Sequence, residues 1–234
     1  MTSEQHLPVL SLSNVGVFYR KKRGVFGEPF WAVKDVSFEL YQGETLGIIG
    51  RNGVGKSTLL RLMAGVIKPN QGTFVNNGYK ASLLSLQLGF IYHLTGRENA
   101  LLSGMIMGLR KQEIKTKIPA IIEFSGLGHF IDQPIATYSS GMIARLGFSV
   151  AFQVDPAILL IDEVLGVGDA EFRQKSTQVM QEKIRSNKTI VFVSHQGTLI
   201  QQLCHRAVWI EEGVSRAVGD TASVLKEYHQ FLKM

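Results

Sequence analysis

The 234 residues suffice for one large α/β domain with a subdomain, and 45% hydrophobic content excludes a globally disordered chain. Lysine and arginine outnumber acidic residues 25 to 19, a formal charge of +6. That balance suits nucleic acid, an anionic membrane surface or an anionic nucleotide, and does not choose among them.

Met1 to Leu10 is polar and lacks the apolar stretch of a signal peptide. No later stretch reaches the ~20 apolar residues that span a bilayer, so the chain reads as soluble and cytoplasmic, free to dock on a membrane protein. Val9 to Tyr19 and Trp31 to Leu40 read as strands joined by a basic, glycine-containing segment, Arg20 to Phe30. In the second, Val36, Phe38 and Leu40 alternate with polar residues, the pattern of a half-buried antiparallel strand. Thr45 to Ile49 is almost wholly apolar, as for a central strand covered on both faces. A helix follows from Lys56 to roughly Val66 and stops before Pro69.

Roughly residues 94–154 read as helical. Thr95-Gly96-Arg97-Glu98 is a capping box ahead of a helix through Leu109, and a second helix covers Lys111 to Phe124. Ala157 to Ile161 and Thr189 to Val193 are two more buried strands. Cys204 stands alone, which excludes an intramolecular disulfide and fits a reducing compartment. Ala207 to Ile210 and Ser215 to Val218 form a closing strand pair, and a short amphipathic helix fills roughly 221–234.

Four segments carry chemistry. Gly50-Arg51-Asn52-Gly53-Val54-Gly55-Lys56-Ser57 matches G-x-x-x-x-G-K-[ST], between a buried strand and a helix, and Thr58 continues it. Its glycines let backbone N–H groups curl around phosphate oxygens, and the helix N-terminus adds a favourable field. Lys56 is expected to reach the β- and γ-phosphates of ATP, and Ser57 to coordinate Mg²⁺. Ile158 to Ile161 then delivers Asp162 and Glu163 to the carboxyl end of a core strand, where α/β sheets bind ligands. Asp162 fits the acid that holds Mg²⁺ through its water shell; Glu163 fits a general base or a water-orienting residue for attack on the γ-phosphate. Tyr138-Ser139-Ser140-Gly141-Met142 opens an apolar helix, and Val191 to Ser194 ends in His195.

Phosphate loop, helical region, Ser-x-Gly, Asp-Glu and strand-terminal histidine, in that order, resemble the ABC-type ATPases. The resemblance implies an α/β P-loop NTPase core with an antiparallel β subdomain and an inserted helical subdomain, as a single nucleotide-binding domain over residues 1–234. The usual signature is Leu-Ser-Gly-Gly-Gln; Ser139 and Gly141 keep its serine and second glycine, while Tyr138, Ser140 and Met142 depart from it. The resemblance implies that Ser139 and Gly141 hold the γ-phosphate of a partner's ATP and that His195 contacts that phosphate and its water. It also makes Asp169 the D-loop acid, Tyr19 the aromatic on adenine and Gln87 the glutamine that senses Mg²⁺.

Tyr138 to Met142, Asp162 to Asp169 and Leu94 to Asn99 together are similar to ATPase subunits of polysaccharide and teichoic-acid exporters. For such a subunit the expected partners are a second copy in head-to-tail array and two integral membrane permease subunits, with a lipid-linked glycan moved through them. Nucleic acid is not expected, and the place is the cytoplasmic face of the inner membrane. Arg20 to Arg23 followed by Phe26, Phe30 and Trp31 suits an anionic interface or, equally, a solvated hairpin tip. An ABC ATPase moving another substrate, or acting on DNA or ribosomes, remains open. The repair type's coiled coil and the ribosome type's second core are not in this sequence, and a P-loop kinase would have no use for Ser139, Gly141 and His195.

Overall fold

A computed structural model describes residues 7–20, 29–84, 86–162 and 168–233. The chain divides into two units, one of Met1–Leu83, Ala157–Glu163 and Ile184–Met234, the other of Leu84–Pro156 and Val164–Lys183.

The first unit is built on one sheet. Its strands are Leu10–Arg20 (β1), Pro29–Leu40 (β2), Thr45–Ile49 (β3), Gln71–Asn76 (β4), Ala81–Leu83 (β5), Ile158–Asp162 (β6), Thr189–Val193 (β7), Arg206–Glu211 (β8) and Val214–Asp220 (β9). They run in the order β4-β1-β2-β9-β8-β3-β7-β6-β5. From β8 to β5 neighbouring strands are parallel, whereas β4, β1 and β2 pair antiparallel. The alternation of Val36, Phe38 and Leu40 therefore does mark a strand with one buried face.

Thr45–Ile49 is buried at all five positions because helices cover both faces. On one side Leu46 and Ile48 join Leu59, Leu60, Leu62 and Met63 of helix Lys56–Met63 (α1) in the main apolar core. This helix ends one turn earlier than the apolar run suggests, because Gly65 adopts a left-handed conformation. On the other side a Cβ on Gly47 would lie 2.8 Å from Ile200, so glycine lets helix Gly197–Leu203 (which becomes α6) press on the strand. Helix Thr221–Leu232 (α7) packs on β8 and β9.

The second unit packs helices Gly96–Ile106 (α2), Lys111–Ser125 (α3) and Ser140–Phe152 (α4), with short 3₁₀ turns at Gly128–Asp132 and Ile135–Thr137. Its core gathers Ala100, Ile114, Ile118, Ile121, Leu146 and Val150. The expected capping box is present: Thr95 Oγ1 accepts from Glu98 N at 3.2 Å and Glu98 accepts from Thr95 N at 2.8 Å. Helix Ala170–Arg185 (α5) joins through Phe172, whose ring meets Phe124 and Phe148 edge-on at 5.5 and 5.8 Å.

Candidate functional site

The parallel register decides where the chemistry-bearing residues emerge. Ile48 pairs with Val193, and Val193 with Asp162, so β3, β7 and β6 end level with one another. The phosphate loop, Asp162 and His195 all leave the sheet at that carboxyl edge. Glu163 to Val167 lie outside the described residues.

A cavity of about 270 Å³ opens there, lined by Tyr19, Phe30, Ala32, Asn52, Gly53, Gly55, Lys56, Ser57, Thr58 and Asp162. Two glycines show why the loop fits only this backbone. Gly55 has φ 103°, and a Cβ there would sit 2.2 Å from the Ala32 carbonyl oxygen. Gly53 has φ 83° with nothing within 4 Å of its Cβ position, so backbone faces open cavity. Helix α1 starts at Gly55 with no side-chain cap and no acidic residue in its first turn. Its unsatisfied N–H groups and positive end therefore meet the cavity, which is an anion site by construction.

Lys56 is buried and donates from Nζ to the carbonyls of Gly50 at 2.7 Å and Arg51 at 2.8 Å. Burial lowers its pKa below the usual lysine value, while the charges of Asp162 and Glu211 oppose that shift. Ser57 is exposed at the cavity, and Asp162 is half-buried opposite it. A hydroxyl and one carboxylate fit a hard cation that takes its other ligands from phosphate and water. Among the described residues no group of three or more His, Cys, Asp or Glu forms a separate metal site.

Tyr19 and Phe30 are direct cross-strand partners on β1 and β2, both exposed and both on the cavity wall. Phe30 and Ala32 are lining residues that motif reading did not assign; the Tyr19–Phe30 register alone would have found the first. Val54 is buried under the loop, and Gly50 and Arg51 stand behind it rather than on the wall. His195 is exposed just beyond β7 and is not among the lining residues; the preceding Ser194 is buried and donates its N–H to Ile48 O at 3.2 Å.

The remaining expected site residues belong to the second unit. Ser139 caps α4, its hydroxyl accepting from Met142 N at 3.2 Å, and that helix also lacks an acidic first turn. A Cβ on Gly141 would have only Ser139 Oγ within 4 Å, at 3.8 Å. Tyr138 is buried and donates to Phe130 O at 2.5 Å. Asp169 accepts from Phe172 N at 2.9 Å and lies 3.6 Å from Arg145 of α4. Gln87 is exposed in a turn before α2.

Residues 33–166 match the family model described as ABC transporter. The chain is 49% identical over 204 residues to the O-antigen export system ATP-binding protein RfbB of Klebsiella pneumoniae, covering 87% of this chain and 83% of that protein. It is 48% identical to the teichoic acids export ATP-binding protein TagH of Enterococcus faecalis, again over 87% of this chain but only 45% of the relative. In fold it resembles the ATP-binding cassette MJ0796, solved as a dimer in a post-hydrolysis state with ADP and Pi. There the TM-score is 0.72 at 21% identity, covering 91% of this chain and 98% of that one. With the phosphate loop and strand-end acid in one cavity, the chain belongs to the ABC transporter family, as an ATP-binding and ATP-hydrolysing member.

Proposed function

We propose that this protein powers export of a lipid-linked polysaccharide, of the O-antigen or teichoic-acid kind, as the ATPase subunit of a membrane complex. One observation carries the assembly. The helix that starts at Ser139 offers a second anion-binding end, with exposed hydroxyl, open Gly141 and no acid in its first turn, yet it belongs to a different unit from the phosphate loop. Two copies set head to tail give each cavity such an end from the partner, so ATP is sandwiched between chains. ATP favours the closed pair, and hydrolysis reopens it.

Within each cavity Lys56 exchanges its loop carbonyls for phosphate oxygens, a stronger charge-assisted bond. Tyr19, beside Phe30, stacks on adenine. Asn52 to Thr58 donate backbone N–H groups to phosphate. Ser57 and Asp162 would hold Mg²⁺, with Gln87 as its further sensor, and the chemistry a bound ion would supply there is charge neutralisation. Glu163 accepts the proton of the attacking water and His195 orients it.

The second unit exposes Leu88, Ile91, Tyr92, Met105 and Ile106 around the start and end of α2. Isolated exposed apolar residues are ordinary, but Gly89 lies against Ile106 and brings the segment that holds Leu88, Ile91 and Tyr92 to the end of α2. We assign this patch to two multispanning permease subunits at the cytoplasmic face of the inner membrane; among the described residues no helix is long and apolar enough to cross the membrane.

The test is genetic and biochemical. Deleting the gene in its native cell should remove the surface glycan and leave its lipid-linked precursor inside. The wild-type chain should restore export and Lys56→Ala should not. Normal glycan display in the deletion strain would refute the export reading while leaving ATP hydrolysis untouched.

A further inference from the structure

We propose that Arg51 is a positioning residue that neutralises the buried Glu211 carboxylate behind the phosphate loop, so that the cavity can accept a polyphosphate. The proposal rests on the cavity's being the nucleotide site.

Glu211 ends β8 and is 1% exposed, although it does not line the cavity. It is nevertheless close to the loop. A Cβ on Gly50 would meet the Ile210 carbonyl oxygen at 2.2 Å, so the first residue of the loop lies directly on the end of β8. The field of Glu211 reaches the lysine, since it and Asp162 are the two carboxylates that favour the Lys56 charge. Asp162 faces the cavity and has a cation to hold. Glu211 faces no ligand, and left alone its charge would repel the phosphates that the loop is built to take.

Arg51 cancels it. Its Nε donates to Glu211 Oε1 at 2.8 Å and its Nη2 donates to the same oxygen, while Oε2 has no hydrogen-bond partner among the described residues. The guanidinium packs over the Phe231 ring of α7, 5.5 Å from its centroid, which holds it in place on its open side. Through its carbonyl the same residue accepts from Lys56 Nζ, so the neutralising residue and the phosphate-seeking lysine are joined. Among the described residues the other charged or titratable groups around the pair are few. Tyr228 approaches from α7, and Glu212 follows in the β8–β9 turn, 3.6 Å from Arg216 of β9. From β2 the turn meets backbone, Lys34 N donating to Gly213 O at 2.7 Å.

A double-substitution cycle on the full chain tests this, with Kd for ATP measured by calorimetry at fixed ionic strength. Arg51→Met leaves a buried carboxylate uncompensated and should raise Kd about tenfold. Adding Glu211→Gln to it should bring Kd back to within about threefold of wild type, and Arg51→Lys should also stay within about threefold. Glu211→Gln alone keeps an oxygen for Arg51 and should bind ATP at least as tightly as wild type. A loop that merely lost a structural contact would not be rescued by a second loss. Arg51→Met binding like wild type, or a double variant no better than Arg51→Met, overturns the proposal. Should Arg51→Met fail to show a cooperative melt without nucleotide, Glu211→Gln decides: a tenfold rise in Kd there overturns it too. Lys56→Ala is the control for the site itself, and undiminished ATP binding by that variant would overturn both readings, a result distinct from failure of the rescue alone.

Discussion

Lys56 shows how one residue carries both the fold of the loop and its chemistry. Its ammonium is held by two carbonyls of its own loop and has lost most of its water, which lowers its pKa. A polyphosphate offers it more than those carbonyls do, so Lys56→Ala should weaken ATP binding by at least about tenfold in a fluorescence titration. Glu163→Gln should keep ATP binding and stop turnover, so the closed pair accumulates as a dimer by size-exclusion chromatography with ATP. Normal turnover in that variant would remove Glu163 from the base role. Cys204 makes a third residue-scale prediction. Burial, with Glu44 nearby, pushes its thiol from 9.0 up to about 12. The sign follows directly: unfolded chains lose that proton near the ordinary value and folded ones do not. The thiol's contribution to stability is therefore complete below pH 9 and fades as pH rises toward 12. Iodoacetamide at pH 8 should label Cys204 only after denaturation, as read by mass spectrometry.

At the scale of elements, one departure from the usual signature explains a glycine elsewhere in the same unit. Tyr138 stands where the family's motif has leucine, and its hydroxyl reaches Phe130 O beside the start of α2. A Cβ on Gly96 would lie 2.3 Å from that hydroxyl, so the larger ring requires glycine there. Gly96→Ala should cost about 1–3 kcal/mol, and Tyr138→Phe about 1 kcal/mol, by chemical denaturation; the pair together should cost less than their sum. Asn99, fully buried, exchanges bonds with Ile91 N and O and also donates to Leu94 O and Thr95 O. It ties the exposed Ile91–Tyr92 segment to α2. Capping and strand patterns were legible because they are local: the Thr95–Glu98 box and the run Thr189–Val193 stand where the sequence puts them. β4 and α5 were not. β4 is an edge strand with mostly exposed residues, so it has no alternation to read. In α5 the buried stripe Phe172, Ser176 and Met180 has a serine in its middle, which breaks the apolar period.

For the whole molecule, the basic segment Arg20 to Arg23 keeps two readings, and most of it lies outside the described residues. If it meets an anionic interface, replacing its four basic residues by serine should impair glycan export more than ATPase activity in detergent. Equal effects on both, or on neither, count against the interface. The sequence by itself determined the phosphate loop, the acid that ends β6 and the strand that precedes each. Those depend on neighbours a few residues away, where the backbone needs of Gly53 and Gly55 are written directly in residue type. Only the tertiary structure decided that Ile48, Val193 and Asp162 stand level, that Phe30 joins Tyr19 on the cavity wall, and that Glu211 anchors Arg51 across 160 residues of chain. Such pairings are made by strand order and register, which no local pattern encodes, and a buried carboxylate behind an anion site reads in sequence as one more acidic turn.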